Sequence, residues 1–167
     1  NGTTVGYVVP TDPVVNNDIV SDGGFWKAVE PTGVADTYFA NGSGAGSVMG
    51  DWTVTEGSVD LFGSDDATSP LGGRIIDLDG NSPGAIRQTL TTEVGRQYQI
   101  IFNMGGEYSS DEPIKDIRVS AGGTSQDFSL SQPPNWNWLD KSDFSPLSMT
   151  FIADASSTEL TFKSLEN

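Results

Sequence analysis

Cysteine and histidine are both absent from this 167-residue chain. Without cysteine there is neither a disulfide framework nor a thiolate metal site. Without histidine the commonest general base and zinc ligand is gone. Positive charge is scarce too: 8 Lys and Arg stand against 23 Asp and Glu, a formal net charge of −15. Nothing offers phosphates a cationic stripe, which argues against nucleic acid as a partner and equally against anionic membrane surfaces. No apolar run approaches the ~20 residues of a membrane span, so no membrane insertion is expected. Helical signals are also scarce, because no window longer than about ten residues repeats apolar positions at i, i+3, i+4 and i+7. No serine–histidine pairing or cysteine nucleophile exists, and none of the many carboxylates is singled out as a glycosidase pair. The Gly-rich run at 42–46 reads as a loop and not as a phosphate cradle. The chain is therefore not expected to be an enzyme.

What remains is an acidic chain of short alternating runs. Trp52–Thr55 leads through a Glu56-Gly57 turn into Ser58–Phe62, and Arg74–Leu78 and Gly84–Leu90 follow. Gln97–Asn103 is apolar at its centre, as a buried strand should be, and Ile114–Ser120 alternates with Ile117 and Val119 on one face. Ser125–Leu130, Leu147–Ile152 and Thr158–Phe162 complete the series. About ten strands at 8–12-residue spacing predict an all-β fold, an antiparallel sandwich or jelly roll. Trp52, Phe62, Tyr98, Phe102, Phe151 and Phe162 lie inside these runs and are expected in the core. The chain opens without Met and without a charged-then-apolar leader, as a processed secreted protein would, so an extracellular or cell-surface location is expected.

From residue 50 onward the order of the pieces is specific. Gly50-Asp51-Trp52-Thr53-Val54 and Gly57-Ser58-Val59-Asp60-Leu61 precede Ile76-Asp77-Leu78-Asp79-Gly80-Asn81-Ser82-Pro83-Gly84-Ala85-Ile86. Gln88-Thr89-Leu90, Gly95-Arg96-Gln97-Tyr98, Val119-Ser120-Ala121-Gly122-Gly123, Phe151 and Leu160-Thr161-Phe162-Lys163-Ser164-Leu165 come after. Over residues 19 to 165 this resembles the DUF642 and choice-of-anchor C group of secreted proteins. The resemblance implies a galactose-binding-like jelly roll and a non-catalytic, carbohydrate-associated wall, matrix or surface protein.

Against that family pattern the chain departs in three places. Ser21-Asp22-Gly23-Gly24-Phe25-Trp26 stands where the family has Asn-Gly-Ser-Phe-Glu, so Trp26 replaces an acid that in related jelly rolls helps hold calcium. Residues 64–73 replace a tryptophan and an Ala-Asp-Gly element. The family's final strand, of the form Gly-Pro-x-x-Asp-x-Val-x-Val, is not found before Asn167. A sandwich without its last strand has unpaired backbone to satisfy. Residues 1–18 read as an N-terminal extension ahead of a jelly-roll domain at 19–167. The extension carries a spare strand with Thr4, Val5, Tyr7, Val8, Val9 and Val14. It pairs either within its own chain or in the next subunit, where donation would build a filament or tube. Pro10 and Pro13 stiffen its exit and favour the second.

The acids and the loop aromatics supply the remaining candidates. Asp77, Asp79 and Asn81 share one strand end and are the first candidates for a calcium ion, with Asp65, Asp66, Asp111 and Glu112 as further loop acids. Trp136 and Trp138 lie in one loop and would share a side if extended, suited to stacking on a sugar or to an intersubunit contact. Two functions are thus expected: a homo-polymeric structural subunit joined by strand donation and calcium, or a carbohydrate-binding surface protein that recognises glycans.

Overall fold

The computed structural model describes residues 2–10, 18–25, 43–62, 74–106, 114–131 and 144–166. Among them there is no helix, and the strands are β1 (Gly2–Pro10), β2 (Ser43–Gly44), β3 (Val48–Met49), β4 (Trp52–Glu56), β5 (Ser58–Phe62) and β6 (Ile75–Asp77). They continue as β7 (Ala85–Thr91), β8 (Gln97–Gly106), β9 (Ile114–Ala121), β10 (Thr124–Ser131), β11 (Ser145–Ile152) and β12 (Ser157–Ser164). Two six-stranded sheets result, ordered β11-β8-β1-β6-β5-β2 and β10-β9-β12-β7-β4-β3. Every pairing is antiparallel, and the whole is a β-sandwich.

The expected strands from Trp52 to Phe162 are all present; six of the nine run one to three residues longer than the alternation alone suggests, and Ile75–Asp77 is shorter. The Gly-rich run at 42–46 reads as loop in the sequence, yet Ser43 and Gly44 pair with Val59 and Ser58 at the end of the first sheet. Backbone pairing needs no side-chain signal, so alternation could not reveal it.

The core lies between the inner faces. Val59, Leu61, Ile76, Ile100, Phe102 and Met104 come from the first sheet; Trp52, Val54, Ile86, Leu90, Val119 and Phe162 come from the second. Phe102 has no exposed surface and meets two rings of the opposite sheet edge-on, Phe128 at 5.0 Å and Phe162 at 5.4 Å. Such T-shaped contacts set an aromatic edge on an aromatic face. Trp52 extends the cluster to Phe162 at 5.9 Å. The six strand aromatics expected inside are all buried, although Phe62 lies outside the central cluster.

Trp52 is anchored by the segment before it. Its Nε1 donates to the Asp22 carbonyl at 3.0 Å, and the Phe25 amide donates to the same oxygen at 3.1 Å. The turn that delivers this carbonyl holds Asp22 at φ 59° and Phe25 at φ 55°, both left-handed. Each such residue costs about 1–3 kcal/mol. The buried Phe25 ring, 5.8 Å from Trp52, offsets part of that cost.

The chain changes sheets at Gly57, between β4 and β5. Gly57 has φ 51°, and a Cβ there would sit 1.9 Å from the Pro83 carbonyl oxygen. Neither the backbone conformation nor the space admits a side chain. Gly57→Ala is therefore expected to destabilise the fold by about 2 kcal/mol or more, read as a lower denaturation midpoint in urea.

Candidate functional site

The N-terminal strand is in the middle of a sheet. β1 runs antiparallel to β8 over nine register pairs, from Gly2 opposite Gly106 to Pro10 opposite Tyr98. Its other edge meets β6 at Thr3 opposite Asp77 and Thr4 opposite Ile76. By register, Thr4, Gly6 and Val8 stand beside the core positions Met104, Phe102 and Ile100. The expected spare strand thus fills a slot between β8 and β6 of its own chain. Thr4, Val5, Tyr7, Val8 and Val9 all fall within it, while Val14 lies outside the described residues.

Where β1 touches β6, the sheet carries a buried acidic pair. Asp60 on β5 is directly opposite Asp77 on β6, and the two are 7% and 5% exposed. They share the sheet face with Phe62 and Ile75, an opposite pair in the same ladder and the face turned away from Leu61 and Ile76. Like charges directly opposed across strands repel. Asp77 Oδ1 accepts the Asp79 amide N–H at 2.9 Å. Burial is the main cause that pushes the Asp77 carboxyl up to about 7; Asp60 and Asp79 push the same way, against that hydrogen bond and the positive amino terminus.

The turn after β6 closes around Ser58. Ser58 Oγ accepts the Asn81 and Ser82 amides at 2.7 and 3.0 Å, and the Gly80 amide donates to the Ser58 carbonyl at 3.2 Å. Gly80 lies so close to Asp60 that a Cβ on it would be 2.9 Å from Oδ1. Of the expected calcium ligands, Asp77 is buried, Asp79 is half-buried and Asn81 is exposed. Among the described residues no group of three or more acidic side chains converges as a metal ligand set. Asp65, Asp66, Asp111 and Glu112 lie outside the described residues, as do Trp136 and Trp138.

Alternation within single strands did not reveal the Asp60–Asp77 pair. The available signal was that Ser58–Phe62 and Ile75–Asp77 each carry an acid on the non-core side, which consecutive antiparallel strands bring together.

A second polar arrangement lies where residues 18–21 come alongside β7. Gln88 is buried in β7 between Ile86 and Leu90. Its Oε1 accepts the Ser21 amide at 2.8 Å, and its Nε2 donates to the carbonyls of Ser21 at 2.5 Å and Asp51 at 3.3 Å. Ser21 Oγ donates in turn to Asp51 Oδ2. The exposed β7 positions Arg87, Thr89 and Thr91 adjoin this clamp, and Thr53 is opposite Arg87. Together with Ser21 and Asp51 they line an open cleft of about 910 Å³. A glutamine at a core position was the overlooked signal, since a buried amide must have partners.

Residues 18–167 match the family described as "Protein of unknown function (DUF642)". No curated protein and no solved structure matches the chain.

Because the folded state holds the Asp77 proton more tightly than an unfolded chain at 3.8, stability from this group is complete below about 4. It is lost as the pH rises through about 7. Asp77→Asn removes the titration: its unfolding free energy should exceed that of the parent at pH 8 by about 2–4 kcal/mol more than at pH 4. Urea denaturation at the two pH values measures this difference, and equal differences at both would contradict the assignment.

Proposed function

Since the chain belongs to the DUF642 family, whose function is unknown, we propose a role for it from its strand arrangement: a non-catalytic extracellular structural subunit that joins like subunits by exchanging β1. One observation carries this reading. A strand from the chain's own N-terminal segment occupies the centre of a sheet and is bonded on both sides, to β8 and to β6. The slot presents the same two antiparallel edges to a β1 from any copy of the chain. Exchange therefore conserves every backbone pair. The balance between closed and exchanged forms then rests on the connecting residues and on protein concentration.

Pro10 and Pro13 support the exchanged form, because they restrict the backbone where β1 leaves the sheet. Head-to-tail exchange whose rotation does not close produces filaments, tubes or a matrix, and this open form is the one proposed. The absence of histidine and cysteine supports a non-catalytic role, and the acidic composition suits an exterior setting. Calcium belongs to this reading as a counter-ion between subunits that each carry a net charge of −15.

The cysteine-free chain allows a direct test of exchange. Tyr7 and Ile101 are register partners, and directly opposed antiparallel residues lie within disulfide reach. Tyr7→Cys and Ile101→Cys variants, mixed in denaturant and refolded together under oxidation, should yield a disulfide-linked dimer that joins one chain of each variant. Filaments should be visible by negative stain in the unmodified protein. Cross-links that form only within the double variant, and never between the mixed single variants, would overturn the proposal.

The calcium component is tested separately by dialysing the assembled protein against EGTA. Shortened polymers that regrow on adding calcium are expected. Polymer lengths that do not change would remove calcium from the reading.

A further inference from the structure

The sandwich ends differently on its two sides. We propose that its long-edged side pairs with the same side of a second copy of the chain, independently of any exchange of β1. On one side the sheets close with β2 and β3, which are two residues each. On the other they close with β10 and β11, which are eight residues each. β10 is paired with β9, and β11 with β8, without a break in register. Among the described residues neither has a strand on its other edge. Each edge therefore presents about 26 Å of backbone ready to pair. Phe128 of β10 packs on Phe102 of β8 at 5.0 Å, so both edges bound the same side of the sandwich.

Folded proteins guard long edges with lysines, prolines, bulges or charges. Here the guards are few. In a chain that is 19% charged, the strands TSQDFSLS and SPLSMTFI hold one charged residue, Asp127. Arg118 of β9 takes up that carboxylate through two hydrogen bonds, Nε to Oδ1 at 2.6 Å and Nη2 to Oδ2 at 2.8 Å. Pro146, near the start of β11, removes at most one donor. Large exposed aliphatic side chains adjoin both edges: Ile152 in β11 is 59% exposed, and Ile114, opposite Ser131 of β10, is 52% exposed.

Charge and symmetry identify the occupant. Two copies carrying −15 each repel where acidic surfaces meet, whereas these two strands can meet their copies without opposing unpaired charges. A basic partner would be drawn to the acids elsewhere and gains nothing from an uncharged edge. A two-fold axis perpendicular to the sheets sets β10 antiparallel to its copy and β11 antiparallel to its copy. One isologous contact then continues both six-stranded sheets. With sheets about 10 Å apart, that contact covers on the order of 1,000 Å² in all, the lower bound of a specific interface. A dimer of micromolar strength is expected.

Sedimentation equilibrium of a β1-stapled protein tests this. The double variant Tyr7→Cys/Ile101→Cys, oxidised within one chain, holds β1 in its own sheet, so the outcome does not depend on whether β1 is ever donated. The stapled protein should still form a dimer at about 100 μM. Ser129→Lys in β10 and Thr150→Lys in β11, both at exposed positions, bring like charges together near the axis. Each should weaken dimerisation about 10-fold or more. Val48→Lys, on the opposite side in β3, should leave it unchanged. Circular dichroism melting establishes that each variant is folded, and Ser129→Asp or Thr150→Asp replaces a lysine variant that is not. The proposal fails if the stapled protein is monomeric at that concentration, or if the edge variants dimerise as well as the parent. A monomer whose β10 and β11 amides all resist hydrogen exchange would overturn it in favour of cover by the same chain.

Discussion

A β-sheet cannot leave a row of backbone N–H and C=O groups unpaired in its interior, and in this molecule that requirement falls on β1. The first sheet is assembled as β11-β8 on one side and β6-β5-β2 on the other, with the N-terminal strand as their sole bridge among the described residues. Removing β1 would turn the long strand β8 and the short strand β6 into edges at the middle of the sandwich. The inner residues Phe102, Ile100 and Met104 would then lack a neighbour on that side. Sheet continuity, core closure and the proposed means of assembly therefore depend on one set of hydrogen bonds.

The two sides of that bridge are built differently. Toward β8, β1 is paired along its full length; toward β6, the register partners are Thr3 and Thr4. The short side also carries the electrostatic cost, since Asp77 is the partner of Thr3 and stands opposite Asp60. The apolar cross-sheet contacts of Phe102 with Phe128 and Phe162 lie behind the well-paired side. Hydrophobic packing and backbone pairing reinforce one another along β8, whereas along β6 the pairing is set against a buried carboxyl pair.

Much of this fold was legible in the sequence because antiparallel strands with one wet face write an alternating pattern. The run from Ile114 to Ala121 shows it, with Ile117 and Val119 inward and Arg118 outward. Lys115 breaks the pattern, since it is buried on the same face as Ile117. No lysine at that position announces burial, because the ammonium's partners are chosen in three dimensions. The candidate sites were less legible for the same reason. Asp77 and Asp79 stood out as neighbours in sequence, while the pairing of Asp77 with Asp60 arises only when two strands align. Gln88 reads as an ordinary polar residue until residues 18–21 are brought against it from 67 positions away.

The register of β1 also fixes an order in time. Gly2 must wait for Gly106 and Pro10 for Tyr98, so the first of these strands to leave the ribosome cannot complete its pairing until β8 has been made. Pairs this distant close slowly, because the intervening chain must be ordered before they are rewarded. Through that interval a free β-forming segment and an empty slot coexist on every nascent molecule. Under the proposed exchange, the local concentration of other chains during synthesis would decide whether a molecule completes itself or is completed by another.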